Sequence, residues 1–140
     1  MKEPFKISDF PKVLSKEKQP PNCDITMQID PIRMENGYAE GIWEVDEKFI
    51  NGNGVTMGGF LAAATDIMMA YAIASLLNDE QGFTTVDLHT TFHRPVTTGK
   101  AVVKAKVVNK GKRTAYLTGE ILQNGKKCCS TVSTMMIFNA

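Results

Sequence analysis

The sequence predicts an α+β fold in which a curved antiparallel β-sheet wraps around one long central α-helix. Residues 58–77 form a run that is long enough for a helix and apolar nearly all round, as expected for an enclosed helix. Segments of alternating apolar and polar residues lie on both sides of this run, which is typical of strands with one buried face. Wrapping such a sheet around the helix buries both. The length of 140 residues fits one domain, so we assign residues 1–140 to a single domain.

The chain before the helix predicts a β-hairpin. Residues 25–29 alternate between apolar and polar side chains, and residues 38–45 do the same. Between them, the Glu-Asn-Gly segment at 35–37 supplies residue types that tolerate the backbone conformations of a tight turn. Residues 1–22 are expected to form a loosely ordered lead-in or a short helix.

Four further strands are predicted after the helix. In the second of them, Val103 and Ala105 face one way while Lys104 and Lys106 face the other, so one face of the sheet is expected to be buried. Gly and Asn residues between the segments supply the positive φ angles that tight turns need. The four segments are residues 83–95, 100–108, 114–123 and 126–138.

The composition excludes several classes of function. Sixteen basic and fifteen acidic residues give a net charge of +1, so nothing indicates the positive surface that nucleic-acid binding requires. Cys23, Cys128 and Cys129 lack a C-x-x-C spacing and are expected to be free thiols in a reducing compartment. Residues 1–22 contain charges and prolines where a signal peptide needs an apolar stretch. We therefore expect a cytoplasmic protein that does not bind nucleic acid.

Membrane insertion and metal binding are also disfavoured. The apolar run contains Asp66 and several hydroxyl side chains, and no cluster of Lys or Arg flanks it. His89 and His93 would lie about 13 Å apart on one strand, too far to hold the same metal ion. The sequence therefore predicts no membrane insertion and no metal site.

Asp66 is the residue of the apolar run that most needs an explanation, because ionising a carboxylate away from water is costly. It lies eight residues after the first glycine of a Gly-Gly pair, and the pair and Asp66 belong to a pattern of residues at fixed spacing. This pattern resembles the hotdog-fold acyl-CoA thioesterases of the thioesterase superfamily, specifically the phenylacetate-pathway (PaaI-like) branch. The resemblance covers about residues 24–138 and includes the segment TTVDLHTTFHRPVTTGKAVVKAKVVNKGKR. The residues of the pattern are Asn51, Gly54, Met57, Gly58, Gly59 and Asp66.

The resemblance implies that catalysis depends on Asp66 and on a backbone N–H at the start of the helix. Asp66 would act as a general base on water or attack the thioester carbonyl to give an anhydride, and both roles remain open. The N–H of Gly58 would stabilise the developing oxyanion. Asn51 would orient the carbonyl or the water, or would only stabilise a turn. The hydroxyl of Thr85 would hold the water, and Thr84 is its close competitor.

The implied substrate is a small to medium acyl- or aryl-acyl-CoA thioester, and no cofactor is implied. Basic residues near the mouth of an acyl tunnel would bind the phosphates of coenzyme A, although a basic turn is by default a solvated hairpin tip. Methionine on the helix would line the acyl pocket, because its side chain adapts to irregular shapes. The substrate-binding candidates are Met57, Gly59, Met69, Arg94, Gly111, Lys112 and Arg113.

The resemblance also implies a homodimer or homotetramer with a site shared between two chains. Many relatives have a histidine where this chain has Met57, and methionine can neither donate a hydrogen bond nor carry a proton. A non-hydrolytic acyl-CoA binding or sensing protein is therefore the alternative. A dehydratase or hydratase is a third possibility, but it would need a pair of His and acid side chains on the helix, which this chain lacks.

Overall fold

Three helices and seven strands make up the protein in the computed structural model, which describes residues 3–140. The helices are α1 (Phe10–Leu14), α2 (Asn22–Met27) and α3 (Gly58–Ala74), and 3₁₀ turns cover Ile7–Asp9 and Glu47–Phe49. The strands are β1 (Ile29–Glu35), β2 (Tyr38–Val45), β3 (Gln81–Thr85), β4 (His89–Phe92), β5 (Gly99–Lys110), β6 (Thr114–Gln123) and β7 (Lys126–Asn139).

All strand pairs are antiparallel and belong to one sheet, in the order β1-β2-β5-β6-β7-β3, with β4 also paired to β7. The inner face of this sheet curves around α3, which contacts β1, β2, β5, β6 and β7. The predicted α+β fold with one central helix is confirmed. Strands β3 and β4 lie at one edge of the sheet, next to no other strand of the described chain but β7.

Helix α3 forms because its alanine, leucine and methionine residues favour the helical conformation. Tertiary packing stabilises it, because most of its surface is buried. Met68, Met69 and Ile73 are fully buried against the inner face of the sheet. Thr65 approaches the sheet closely at Gly119, where a Cβ would lie 3.2 Å from the Cβ of Thr65. Within residues 3–140, no helix has both the length and the hydropathy that a membrane span needs.

The first predicted strand starts later than the sequence pattern indicates. Residues 22–27 form α2 directly after Pro20 and Pro21, which cannot continue a strand ladder. Asp24 and Met27 are both buried while Ile25 is exposed, and burial at a spacing of three residues is helical. The prediction that Ile25 and Met27 lie in a strand was therefore wrong, because three alternating residues are too few to separate the two periods.

The N-terminal lead-in contains a short helix rather than a loose segment. Phe10 and Val13 on α1 are buried, and the ring of Phe10 packs edge-on against Tyr71 of α3 with 5.0 Å between centroids. This contact fastens the N-terminal segment to the central helix. Residues 1 and 2, which belong to the predicted lead-in, lie outside the described residues.

The remaining strands follow the prediction with two exceptions. The β1–β2 turn is at Asn36 and Gly37, whose φ angles are 50° and 79°. The segment 83–95, expected to be one strand, is divided into β3 and β4. Adjacent residues of a regular strand face opposite sides, but Cys128 and Cys129 of β7 are both buried, because a register shift next to them breaks the alternation.

Candidate active site

Asp66 lies near the middle of α3, half-buried, and faces the edge of the sheet formed by β3 and β4. The hydroxyl of Thr85, the last residue of β3, donates a hydrogen bond of 2.9 Å to Oδ1 of Asp66. Thr85 pairs with the buried Met135 of β7, whereas Thr84 pairs with the exposed Met136 and faces the outer side of the sheet. Of the two candidate threonines, Thr85 is therefore the one that meets the carboxylate.

The environment of Asp66 makes it a stronger base than an exposed aspartate. Burial raises the pKa of Asp66 above its ordinary value, and the hydrogen bond from Thr85 lowers it in part. Among the described residues, no charged side chain contributes to this change. A carboxylate with a raised pKa and one hydrogen bond is suited to taking a proton from water at neutral pH.

The start of α3 presents backbone amides without intrahelical acceptors. Met57 is the N-cap residue and its side chain makes no capping hydrogen bond, so the first N–H groups of the helix have no side-chain cap. The ring of Phe92 lies so close to Gly58 that a Cβ at this position would be 2.7 Å from its Cζ. Only glycine leaves this approach open. Gly59 and Met57 are exposed next to it.

Gly58 and Asp66 do not reach the same atom within one protomer. Eight residues separate them on α3, which corresponds to about 12 Å along the helix axis. A thioester carbon in contact with Asp66 is therefore out of reach of the Gly58 N–H in the same chain.

Asn51 is fixed within the loop that precedes α3. Its Oδ1 accepts hydrogen bonds from the backbone N–H groups of Asn53, at 2.9 Å, and Val55, at 3.4 Å. Gly54 in the same loop has a φ angle of +79°, which favours glycine. The side chain thus stabilises the turn, as one of the two interpretations predicts. The Nδ2 hydrogens of Asn51 have no acceptor within residues 3–140 and can still be donated to a substrate.

A stripe of small residues leaves the face of α3 beside the sheet edge uncovered. Its members recur at positions i, i+3, i+4, i+7 and i+11, so they share one side of the helix. They are only half-buried or exposed, in contrast to the fully buried opposite side. This open stripe, which contains the carboxylate of Asp66, is where a substrate or a second copy of the chain would have access to the site. Its residues are Gly59, Ala62, Ala63, Asp66 and Ala70.

The predicted phosphate-binding residues lie at opposite ends of the sheet. The backbone N–H of Arg94 donates to the carbonyl of Cys128 close to the β6–β7 turn. Lys112 and Arg113 lie in the β5–β6 turn, where Gly111 N–H donates to the carbonyl of Thr114 at 2.8 Å. Strand β6 separates the two places, which amounts to roughly 30 Å for ten residues of strand. One protomer does not bring Arg94 together with this turn.

Each cationic place has an open groove beside it. Arg94, Lys126 and the Gln123 amide line a groove of about 270 Å³. Lys110, Lys112 and Arg113 line another of about 760 Å³, next to the exposed side chain of Phe138. Neither groove contains Asp66.

Met69, predicted to line the acyl pocket, is fully buried in the core under the sheet. It follows Asp66 by three residues and therefore lies on the flank of α3 next to the open stripe, where the core covers its side chain. The sequence reasoning missed Phe92, which covers Gly58 from β4. The signal for it was available, because Phe92 follows a polar alternating run and is an aromatic residue on an edge strand.

Among the described residues, no three His, Cys, Asp or Glu side chains come close enough to hold a metal ion. His93 instead places Nε2 2.9 Å from Oγ of Ser130 on the outer side of the sheet.

Comparison with known families identifies the chain. The family model described as "Thioesterase superfamily" matches residues 53–130, which include Gly58, Asp66 and Thr85. The chain belongs to the thioesterase superfamily. This confirms the predicted PaaI-like hotdog thioesterase family and its fold.

Solved structures support the same assignment. A phenylacetic acid degradation-related protein of Ralstonia eutropha JMP134 is 26% identical, with a TM-score of 0.85 over 91% of this chain and 98% of the other. The PaaI protein of the phenylacetic acid degradation operon of E. coli is 22% identical, with a TM-score of 0.83 over 97% and 98% of the two chains. At that lower identity the likeness shows the fold alone.

A protein of Saccharolobus solfataricus that is named an esterase is 25% identical over 107 residues, which is 76% of this chain and 71% of that protein. This thioesterase superfamily member therefore has a relative that is named for ester chemistry.

Proposed function

We propose that this protein is an acyl-CoA thioesterase that hydrolyses small to medium acyl- or aryl-acyl-CoA thioesters without a cofactor, in the cytoplasm. The observation that supports this best is the Thr85–Asp66 hydrogen bond on the open stripe of α3. It combines a base, a hydroxyl group and access from solvent in one place. Membership of the thioesterase superfamily supports the class of reaction.

In the proposed reaction Asp66 acts as the general base. Thr85 has a single hydroxyl hydrogen, which it donates to Asp66, so its lone pairs are free to accept a hydrogen bond from water. A water that donates one hydrogen to Asp66 and the other to Thr85 has its lone pair directed at the thioester carbon. A C–O bond forms as Asp66 takes the proton. When the C–S bond breaks, the proton goes to the leaving thiolate.

The oxyanion of the tetrahedral intermediate would be held by the Gly58 N–H, helped by the dipole of α3 and by Nδ2 of Asn51. The separation of about 12 Å between Gly58 and Asp66 on one helix supports a site that takes these two groups from different protomers. We propose that Asp66 and Thr85 of one protomer act together with Gly58 and Asn51 of its partner.

The free edge of the sheet supplies the surface for such pairing. Two copies joined at β3 and β4 by a two-fold axis would run antiparallel, and the Gln81 end of one edge would meet the Phe92 end of the other. Phe92 covers Gly58, and Thr85 meets Asp66, so this pairing brings the two halves of the site towards each other.

The same pairing would unite the cationic residues. Arg94 lies just beyond the Phe92 end of the edge, and the turn containing Lys112 and Arg113 lies beside the Gln81 end. Arg94 of one protomer and the basic turn of its partner would then flank one site, where guanidinium and ammonium groups suit the phosphates of coenzyme A.

Mixing inactive variants tests the shared site. Asp66→Asn and Gly58→Ala remove different halves, and a one-to-one mixture that reassociates at random gives about half heterodimers, each with one intact site of two. Thiol release should therefore return to about a quarter of the activity of the unmodified protein. A mixture that stays inactive although mass spectrometry detects heterodimers would place both residues in the same protomer's site and contradict this proposal.

A single turnover in ¹⁸O-labelled water distinguishes the two roles of Asp66. General-base catalysis puts the label in the released acid only, whereas an anhydride that water opens at the Asp66 carbonyl puts it in the peptide that contains Asp66. The non-hydrolytic alternative, motivated by Met57, would leave bound acyl-CoA intact in the same experiment.

A further inference from the structure

The sheet edge next to the candidate site contains an extra residue. Thr85 of β3 pairs with Met135 of β7, and His89 of β4 pairs with Val132. Three residues, 86–88, lie between these pairs on the edge strand, but only two, 133 and 134, lie between them on β7. The edge strand thus contains a β-bulge between its two halves.

Two side-chain hydrogen bonds hold the bulge. The N–H of Val86 donates to the carbonyl of Thr134 at 2.9 Å, as in a regular antiparallel pair. In a regular pair the N–H of Thr134 would return a bond to the carbonyl of Val86. It donates instead to Oδ1 of Asp87, at 2.8 Å. The hydroxyl of Ser133 donates to the carbonyl of Asp87, also at 2.8 Å, and Ser133 is fully buried.

The bulge reverses the direction in which alternate side chains point. Before it, the odd-numbered Thr85 faces the helix and bonds Asp66. After it, the even-numbered residues do so: Thr90 lies 3.2 Å from the buried Thr131 hydroxyl, and Phe92 covers Gly58. A continuous strand would keep odd-numbered residues inward and would turn Phe92 away from Gly58.

We propose that Asp87 and Ser133 form a positioning bracket for the active site. By fixing the bulge, the bracket lets one short edge place Thr85 on Asp66 and Phe92 on Gly58. Asp87 acts through these two residues and not on the substrate. The effect on catalysis rests on the proposed thioesterase function, but the effect on the Thr85–Asp66 contact does not.

The carboxylate is well suited to this role. A hydrogen bond from a backbone N–H to a charged oxygen is stronger than one between neutral groups. The bond from Thr134 N–H to the Asp87 carboxylate can therefore replace the bond that this N–H would make to the Val86 carbonyl in a regular pair. The buried Ser133 hydroxyl needs a partner, and the Asp87 carbonyl supplies it. The two bonds act on the same residue from its side chain and its backbone, which fixes the orientation of the whole bulge.

NMR titration of the Asp66 carboxyl group in the full-length protein tests the bracket without any substrate. The Asp66 signal in ¹³C-labelled protein is assigned by its loss in Asp66→Asn. Thr85→Val removes the hydrogen bond to Asp66 and should raise the pKa of this carboxyl group. Asp87→Ala should raise it in the same direction, because Thr85 is no longer held in place, and the double variant should raise it no further than Thr85→Val alone. Asp87→Asn keeps an oxygen acceptor for Thr134 N–H and should titrate like the unmodified protein.

An Asp66 titration unchanged in Asp87→Ala, but altered in Thr85→Val, would overturn the proposal. So would equal effects of Asp87→Ala and Asp87→Asn, since the bracket depends on the acceptor oxygen. If Asp87→Ala does not fold, Ser133→Ala carries the same comparison, because it removes the second bond of the bracket. Its titration should then move in the direction of Thr85→Val, and an unmoved titration would equally overturn the proposal.

Activity gives an independent readout. Asp87→Ala should lower kcat by roughly 10- to 100-fold, the range expected for losing a hydrogen bond to a charged group. It should also shift the acid limb of the pH profile to higher pH, as Thr85→Val does. A general loss of stability would lower the melting temperature without moving the limb, and that result would contradict the bracket. If the unmodified protein has no thioesterase activity, the proposed function fails while the NMR comparison still decides on Asp87 and Ser133.

Discussion

Replacing Thr85 by valine removes its hydroxyl group, which donates the 2.9 Å bond to Asp66 and, in the proposed reaction, accepts a hydrogen bond from water. The methyl groups of valine still fill the position. The bond to Asp66 favours the ionised carboxylate, and burial opposes it. A hydrogen bond to a charged group contributes about 1.5 to 3 kcal/mol, and the low end applies because Asp66 is only half-buried. Without it the ionised form of Asp66 becomes less stable by about 1.5 kcal/mol.

The consequence is a change in the pH dependence of hydrolysis. The pKa of Asp66 moves further up in Thr85→Val, so a general base that must be ionised needs a higher pH. On the acid side of the profile kcat/KM should fall by about tenfold, since about 1.4 kcal/mol corresponds to a factor of ten. Thiol release from an acyl-CoA, followed from pH 5 to pH 9 with Thr84→Val as the matched control, measures this. The control should behave as the unmodified protein because Thr84 faces the outer side. An acid limb that does not move would refute Thr85 as the partner of the base.

Two further predictions concern the helix start and the buried acid of α2. Gly58→Ala should lower kcat/KM by roughly a hundredfold, because the added Cβ meets the Phe92 ring at 2.7 Å and disturbs the oxyanion donor. Gly59→Ala should change the kinetic constants little, because its Cβ meets only the Met57 methyl at 3.2 Å. Equal losses in the two variants would contradict the assignment of the Gly58 N–H as oxyanion donor. Burial raises the pKa of Asp24, so between its unfolded-state and native-state pKa values the native state holds a proton that the unfolded state releases. The stability of the protein should therefore fall as the pH rises through this interval. Asp24→Asn should flatten this dependence in melting temperatures measured from pH 4 to pH 8, and an unchanged slope would show that Asp24 does not titrate in this way.

The long segments of the fold could be predicted from the sequence because their periods extend over many residues. Residues 114–123 alternate over ten positions and form β6 with the predicted bounds. The apolar run predicts the start of α3 at Gly58. Because predicted strands precede and follow this run in the sequence, it is the one long segment left for the central helix. Short segments were less determined, as the α2 residues Ile25 and Met27 show.

The edge strand shows the limit of pattern reasoning most clearly. Alternation alone predicts one strand over 83–95 and leaves Thr84 and Thr85 as competitors, because a shift of one residue reverses every side chain. The reversal depends on hydrogen bonds that Asp87 accepts from residues 46 and 47 positions later in the chain, which no local pattern contains. The bulge and its consequence for Thr85 therefore needed three-dimensional structure.

The spacing of Gly58 and Asp66 is readable from the sequence, but its meaning comes from the helix. Once both lie on α3, their separation of about 12 Å supports the proposed site shared between two protomers. Residues on loops and turns were harder to place. The family resemblance predicts that Arg94 and the turn with Lys112 and Arg113 bind the phosphates of the same coenzyme A. Strand β6 lies between them, however, and puts them at opposite ends of one protomer.

The measurement that tests the central proposal most directly is thiol release from acetyl-, hexanoyl-, decanoyl- and phenylacetyl-CoA by the unmodified protein and by Asp66→Asn. Binding of each acyl-CoA is measured beside it by calorimetry. The amide keeps the shape of Asp66 and can still accept the Thr85 hydrogen bond, but it cannot take a proton. We expect turnover of at least one substrate by the unmodified protein, and loss of that turnover in Asp66→Asn with binding retained. Equal turnover by both proteins, or tight binding by the unmodified protein with no thiol released, would contradict Asp66 as the catalytic base of a thioesterase.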